Sequence, residues 1–141
     1  ELRRNPHSRR AILSIRTEED QRTGSPACLQ SVQFFIRDGL LHGKVLFRSN
    51  DATKAAFMNA FALILLQKRV ADTLGVEMGS YTHRANSFHV YERDYGLFEG
   101  YVRRLKSGEA VTYRYAGEWD ELMAEARPEI AEMVRRLKEG K

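Results

Sequence analysis

Cysteine is nearly missing from this 141-residue chain. With Cys28 alone no internal disulfide can form, which agrees with a reducing compartment. Metal-binding spacing is also lacking: His42, His83 and His89 do not repeat as ligands do and no second thiol joins them, so no metal is expected. No apolar run approaches the ~20 residues that cross a bilayer, and the opening ELRRNPHSRR has no hydrophobic segment of the signal-peptide kind. A cytoplasmic protein without a membrane partner is therefore expected. Glycine-rich phosphate loops are absent, and no aromatic stacking platform interleaves with the basic N-terminal arm, so nucleic acid is not an expected partner. Strong charge of one sign is missing as well: a formal charge of +4 leans toward an anionic ligand without naming one.

What remains is the balance of an ordinary globular domain, 43% hydrophobic and 30% charged, read as a single domain over residues 1–141. Residues 11–15, AILSI, read as a strand, and the polar segment that follows reads as a loop. Two strand-like runs, 28–37 and 40–48, flank Asp38-Gly39, a strong hairpin signal. Pairing outward from that turn sets Arg37 opposite Leu40 and Cys28 opposite Ser49, with Arg48 close by. The cluster Ser49-Asn50-Asp51 reads as a helix N-cap, and the long apolar segment after it, closed by Gly75, reads as a central helix buried almost all round. Strands are expected in VEMGSYTH and NSFHVYE, a helix in RDYGLFEGYVRRLKSG and a short strand in AVTYRY. A last amphipathic helix carries Ile130, Met133, Val134 and Leu137 in one stripe, with Pro128 in the first turn of its second half. The pattern is α+β.

A lone cysteine is more often inert packing than chemistry. Arg48 at the open end of the hairpin, with Arg9 and Arg10 ahead of the first strand, supplies the cations that a thiolate and an anionic substrate need, although most arginines are surface charges. Asn59, polar among Phe57, Met58, Ala60 and Phe61, is either satisfied by neighbouring backbone or kept for a ligand.

These residues line up as a set. SRR before a strand, P-x-C ending at Cys28, Gln33 five residues on, a hairpin, R-S-x-D from Arg48 to Asp51, Asn59 eight residues later and H-x-Y at His89 to Tyr91 resemble thymidylate synthase and the related pyrimidine hydroxymethylases over residues 8–91. The resemblance implies a mainly antiparallel or mixed sheet, with a long buried central helix and a sheet face that forms a homodimer interface. It implies transfer of a one-carbon unit from 5,10-methylenetetrahydrofolate to C5 of dUMP through a bond between cysteine and C6. Cys28 matches the nucleophile and Arg48 and Ser49 the holders of the 5′-phosphate. Arg9 and Arg10 match the pair that reaches into the partner's active site, Gln33 and Asp51 match residues that organise the site, and His89 and Tyr91 match the pair on the 3′-hydroxyl. Asn59 matches the residue that reads the base; its carboxamide accepts from N3–H and donates to O4, which suits uracil. Leu29, Ala27 and Ser87 depart from the family's histidine, proline and aspartate at those places. The family's general acid/base glutamate and folate-facing tryptophans would fall before Glu1, so the chain is expected to be the C-terminal part of a longer enzyme or a remnant without full activity. Two other activities stay open: pyrimidine nucleotide hydroxymethylation, and a non-catalytic nucleotide-binding or dimerisation module.

Overall fold

In a computed structural model of the chain, residues 1–108 and 118–139 are described, leaving aside side chains 118–123 and 137. The expected strand AVTYRY (110–115) lies outside them. The chain forms two compact units, Glu1–Tyr101 and Val102–Lys141.

The first unit is built on a four-stranded mixed sheet. Strands β1 (Ile12–Ser14), β2 (Leu29–Arg37) and β3 (Leu40–Phe47) pair antiparallel in that order. After the crossover helix α1 (Ala56–Leu74), β5 (Glu77–Ala85) returns parallel to β3. Two short strands, β4 (Asn50–Asp51) and β6 (Phe88–His89), pair separately and in parallel. A 3₁₀ turn at Glu92–Asp94 leads into α2 (Tyr95–Lys106).

The hairpin turn behaves as its sequence demands. Asp38 and Gly39 both take positive φ, 52° and 76°, which matches the right-handed twist of the flanking strands. Gly75 closes α1 in the left-handed conformation, its N–H directed at the carbonyls of Ala71 and Asp72. One face of the sheet buries Val32, Phe34, Leu41, Val45 and Phe47 with Ala71 of α1, and Leu63, Leu66, Val70 and Leu74 pack around them.

Four expectations need correction. The hairpin pairs without slip from Arg37↔Leu40 down to Ser31↔Leu46, but the next pair is Leu29↔Phe47: Gln30 is an extra residue, a β-bulge. Its consequence is that the Cys28 carbonyl accepts from the Arg48 N–H at 2.8 Å, so Cys28 stands beside Arg48 rather than Ser49. Helix α1 is not buried all round within this chain; only Gln67 and Ala71 are buried on it, while Phe57 and Met58 are 52% and 61% exposed. Its inward stripe alone meets the sheet. Asn50 and Asp51 are strand residues and do not cap α1, whose N-cap is Ala55 without a side-chain bond. Asp51 Oδ1 instead accepts from the N–H groups of Thr53 (2.8 Å) and Lys54 (3.4 Å) and shapes the turn that precedes the helix. Only Phe88 and His89 of NSFHVYE form a strand.

In the second unit, α3 (Glu118–Lys138) is continuous, with Pro128 inside it rather than at a break. Arg135 and Arg136 bridge Glu132, and Arg135 also reaches Glu139, one helical turn apart. Ile130, Met133 and Val134 of the expected stripe are exposed, and Leu137 is among the side chains set aside.

Candidate active site

The segment that leaves β3 gathers most of the candidate residues. Parallel pairing of β4 with β6 ties it to the chain 37 residues later through Asn50 N–H to the Ser87 carbonyl and Ala52 N–H to the His89 carbonyl, both 2.8 Å. This ladder puts Ser49 beside His89, with Oγ and Nδ1 3.3 Å apart. The His89 ring meets Tyr91 edge to face at 4.9 Å, and Arg93 lies over the Tyr91 ring at 4.8 Å.

Cys28 is exposed just before β2, and the loop carrying it is held at three successive carbonyls. Arg48 Nη2 donates to the Pro26 carbonyl at 2.7 Å and Nε to that of Ala27 at 3.3 Å. Gln30 Nε2 donates to the carbonyls of Ala27 (3.1 Å) and Cys28 (3.4 Å). One guanidinium thus fastens, from the side, the two residues that precede Cys28.

Asn59, on the first turns of α1, is half-buried, and its Nδ2 donates to Asn50 Oδ1 at 3.1 Å. Asn50, 3% exposed, faces His83 through Nδ2 at 2.7 Å from Nε2. His83 Nδ1 lies 2.9 Å from the Tyr81 hydroxyl, and its ring stacks on Phe47 at 4.8 Å with 12° between planes. Burial holds the His83 imidazole below its ordinary pKa and pushes the Tyr81 phenol up to about 12. Both groups are therefore neutral near pH 7. A pocket of about 410 Å³ opens beside them, lined by Ala56, Ala60, His83, Ala85 and Phe88.

Arg9, Arg10 and Gln33 lie elsewhere. Gln33 Nε2 donates to the Arg9 carbonyl at 2.8 Å, and Arg10 approaches Glu1 at 3.6 Å. Gln33 is five residues along β2 from Cys28, on the order of 17 Å at strand rise. Three arginines around one cysteine are thus not assembled within one copy of the chain. Asp51 is near the site, its turn fastened by Lys54, which pairs with the buried Asp94.

Sequence reasoning missed Gln30, Asn50, Tyr81 and His83. Tyr81, His83 and Ala85 share one face of β5 by strict alternation, a signal available in the sequence. Among the described residues no group of three or more His, Cys, Asp or Glu could hold a metal. No described helix is long and apolar enough to cross a membrane.

Comparison with known proteins adds a family to this geometry. Residues 1–125 match the family model described as thymidylate synthase. A Methanocaldococcus jannaschii protein provisionally named a thymidylate synthase is 44% identical over 108 residues, covering 71% of this chain and 48% of its own length. A thymidylate synthase of Bacillus subtilis subsp. natto is 34% identical, over 66% of this chain and 34% of its own length. The solved structure of thermostable thymidylate synthase A from Bacillus subtilis superimposes with a TM-score of 0.64 at 31% identity, covering 70% of this chain and 36% of that one. The chain spans about half the length, or less, of these relatives.

Proposed function

The chain belongs to the thymidylate synthase family, and from that premise we propose that the protein of which it is part converts dUMP to dTMP with methylenetetrahydrofolate as one-carbon donor. The observation that carries this reading is the exposed Cys28 on a loop fastened by Arg48. The thiolate adds to C6 of the pyrimidine, and the electron pair displaced to C5 makes that carbon the nucleophile toward the one-carbon unit. Arg48 and Ser49 take the phosphate, His89 and Tyr91 the 3′-hydroxyl, and Asn59 the base edge. Asp51 organises the pocket, and Gln33 holds the Arg9 carbonyl. Of the groups that would face folate, this chain offers Asp51, whose Oδ1 is held by two backbone N–H groups.

Arg9 and Arg10 serve the phosphate of a partner copy, which agrees with their distance from Cys28 in their own chain. Mixing Arg10→Ala subunits with Cys28→Ala subunits then restores activity in heterodimers that contain one intact site. No recovery, with subunits shown to exchange, places those arginines outside the site.

The central test uses the full-length protein with 5-fluoro-dUMP and methylenetetrahydrofolate. Fluorine at C5 cannot leave as a proton does, so the covalent species accumulates. Mass spectrometry is expected to find the nucleotide on the peptide containing Cys28. Failure to form this adduct removes the synthase reading and leaves nucleotide binding without catalysis. Hydroxymethylation is distinguished by the product formed from dUMP itself.

A further inference from the structure

The side chains of Tyr81, His83, Asn50 and Asn59 form a hydrogen-bonded series across three elements, β5, β4 and α1, with separations of 2.9, 2.7 and 3.1 Å. None of the first three is assigned to the reaction above. Each link in the series has a direction. A neutral imidazole carries one donor and one acceptor, and Nε2 accepts from Asn50 Nδ2, so the proton sits on Nδ1 and is donated to the Tyr81 oxygen. The His83 ring is held in place by its stacking on Phe47 and by the tilted Tyr81 ring at 5.9 Å.

Because Asn50 is buried and both ends of its amide are engaged, it cannot turn over without losing two partners. Its Oδ1 therefore requires a donor from Asn59. That leaves Asn59 with one N–H and its Oδ1 for any ligand, side by side. Uracil presents a donor at N3 and an acceptor at O4, the complement of this arrangement. Cytosine presents an acceptor at N3 and a donor at N4, and would fit only if every amide in the series were reversed.

We propose that Tyr81, His83 and Asn50 are positioning residues that fix the Asn59 amide in the orientation selecting uracil over cytosine. The inference rests on the reading above that Asn59 faces the base. In the parent protein the side of the imidazole that carries the proton then sets, through Asn50, which nucleotide is accepted.

The test measures dissociation constants of dUMP and dCMP for the full-length protein and its variants, with thermal unfolding as a control of folding. Asn50→Leu keeps the shape and removes both bonds; it is expected to lower the preference for dUMP by about tenfold, the scale of one matched hydrogen-bond pair. His83→Phe is expected to act in the same direction and keeps the test alive where Asn50→Leu does not fold. Asn50→Asp, an acceptor only, still takes the N–H of Asn59 while drawing the His83 proton to Nε2; it is expected to recover most of the lost preference, because a carboxylate orients Asn59 without a cue from the imidazole. Nitrogen NMR of the imidazole is expected to place the proton of His83 on Nδ1.

Lower melting temperatures with an unchanged preference would make the series structural only and overturn the proposal. A proton on Nε2 in the parent protein would overturn it too, since the series would then run the other way. Asn59→Asp separates the two levels of argument. If it leaves the preference unchanged, the base-reading role of Asn59 fails and the proposal with it; if it changes the preference while Asn50→Leu and His83→Phe do not, the positioning series alone fails.

Discussion

Two buried side-chain amides, Gln67 and Asn50, sit at opposite ends of the β3–β5 pairing and do different work. Gln67, 0% exposed, directs Nε2 at the backbone carbonyls of Leu41 (2.8 Å), Ser80 (3.3 Å) and Gly79 (3.4 Å), while its Oε1 has no partner. It closes the gap where β5 carries one residue more than β3, between the pairs Leu41↔Met78 and Gly43↔Tyr81. His42 attends to the same irregularity, accepting from the Ser80 N–H at 3.1 Å. Asn50 faces only side chains, and both ends of it are engaged. An amide bonded to backbone stabilises a shape; one bonded to other side chains can pass an orientation on.

The comparison breaks most visibly if the Gln67 end is disturbed and nucleotide preference changes. A Cβ on Gly43 would lie 2.6 Å from Gln67 Oε1 and 3.1 Å from its Cδ, and because Gln67 is fully buried the amide gives way only by straining its contacts with the three carbonyls. Gly43→Ala is expected to cost roughly 1–3 kcal/mol of stability by overpacking, read by denaturant unfolding, with the dUMP/dCMP preference intact. A smaller loss follows from Gln67→Leu. It removes the amide donor at the Leu41 carbonyl and also the unpaired Oε1, so about 1 kcal/mol is expected, again without effect on preference. A change in preference in either variant would show that the two ends are coupled.

The smallest effect concerns pH. Because burial lowers the His83 pKa from its ordinary 6.5, the unfolded chain takes up a proton at a higher pH than the folded one. This group adds nothing to the pH dependence above its unfolded value, and stability falls as pH drops below about 6.5. Melting temperatures at pH 7.5 and 5.5 are expected to differ more in the parent than in His83→Phe. Equal differences would mean that the imidazole is hydrated enough to titrate normally.

Much of the frame was legible because it is local. Asp38-Gly39 set the hairpin, and Gly75 ended α1, each through its own backbone preference. Counting out from the hairpin turn placed Arg48 near Cys28, and Arg48 does fasten the cysteine loop; the contact of Ser49 with His89 follows from the β4–β6 pairing, which the sequence did not announce. The three-dimensional partners of Asn59 were hidden, since His83 is 33 residues from Asn50 and nothing in either neighbourhood refers to the other. Asn50-Asp51 misled for a physical reason: the side-chain oxygen that caps a helix also shapes a turn, and Asp51 serves the turn. Helix α1 misled because an apolar composition says what a face avoids, not what covers it; Phe57 and Met58 stay exposed in this chain.

The bulge at Gln30 turns the position of the thiol into a question of odd and even. Side chains along a strand alternate between two faces, so a count from the hairpin tip fixes the face on which a residue emerges, and one inserted residue inverts it for everything beyond. Cys28 lies past that inversion. Deleting a single residue between Ser31 and Cys28 would make a more regular ladder and turn the start of the strand over, whereas losing two would restore the face and draw the loop that bears Cys28 in by about 7 Å. The chain therefore carries a parity rule between its hairpin turn and the start of β2, from which the loop bearing Cys28 departs, and length changes in this strand preserve that exit only in pairs.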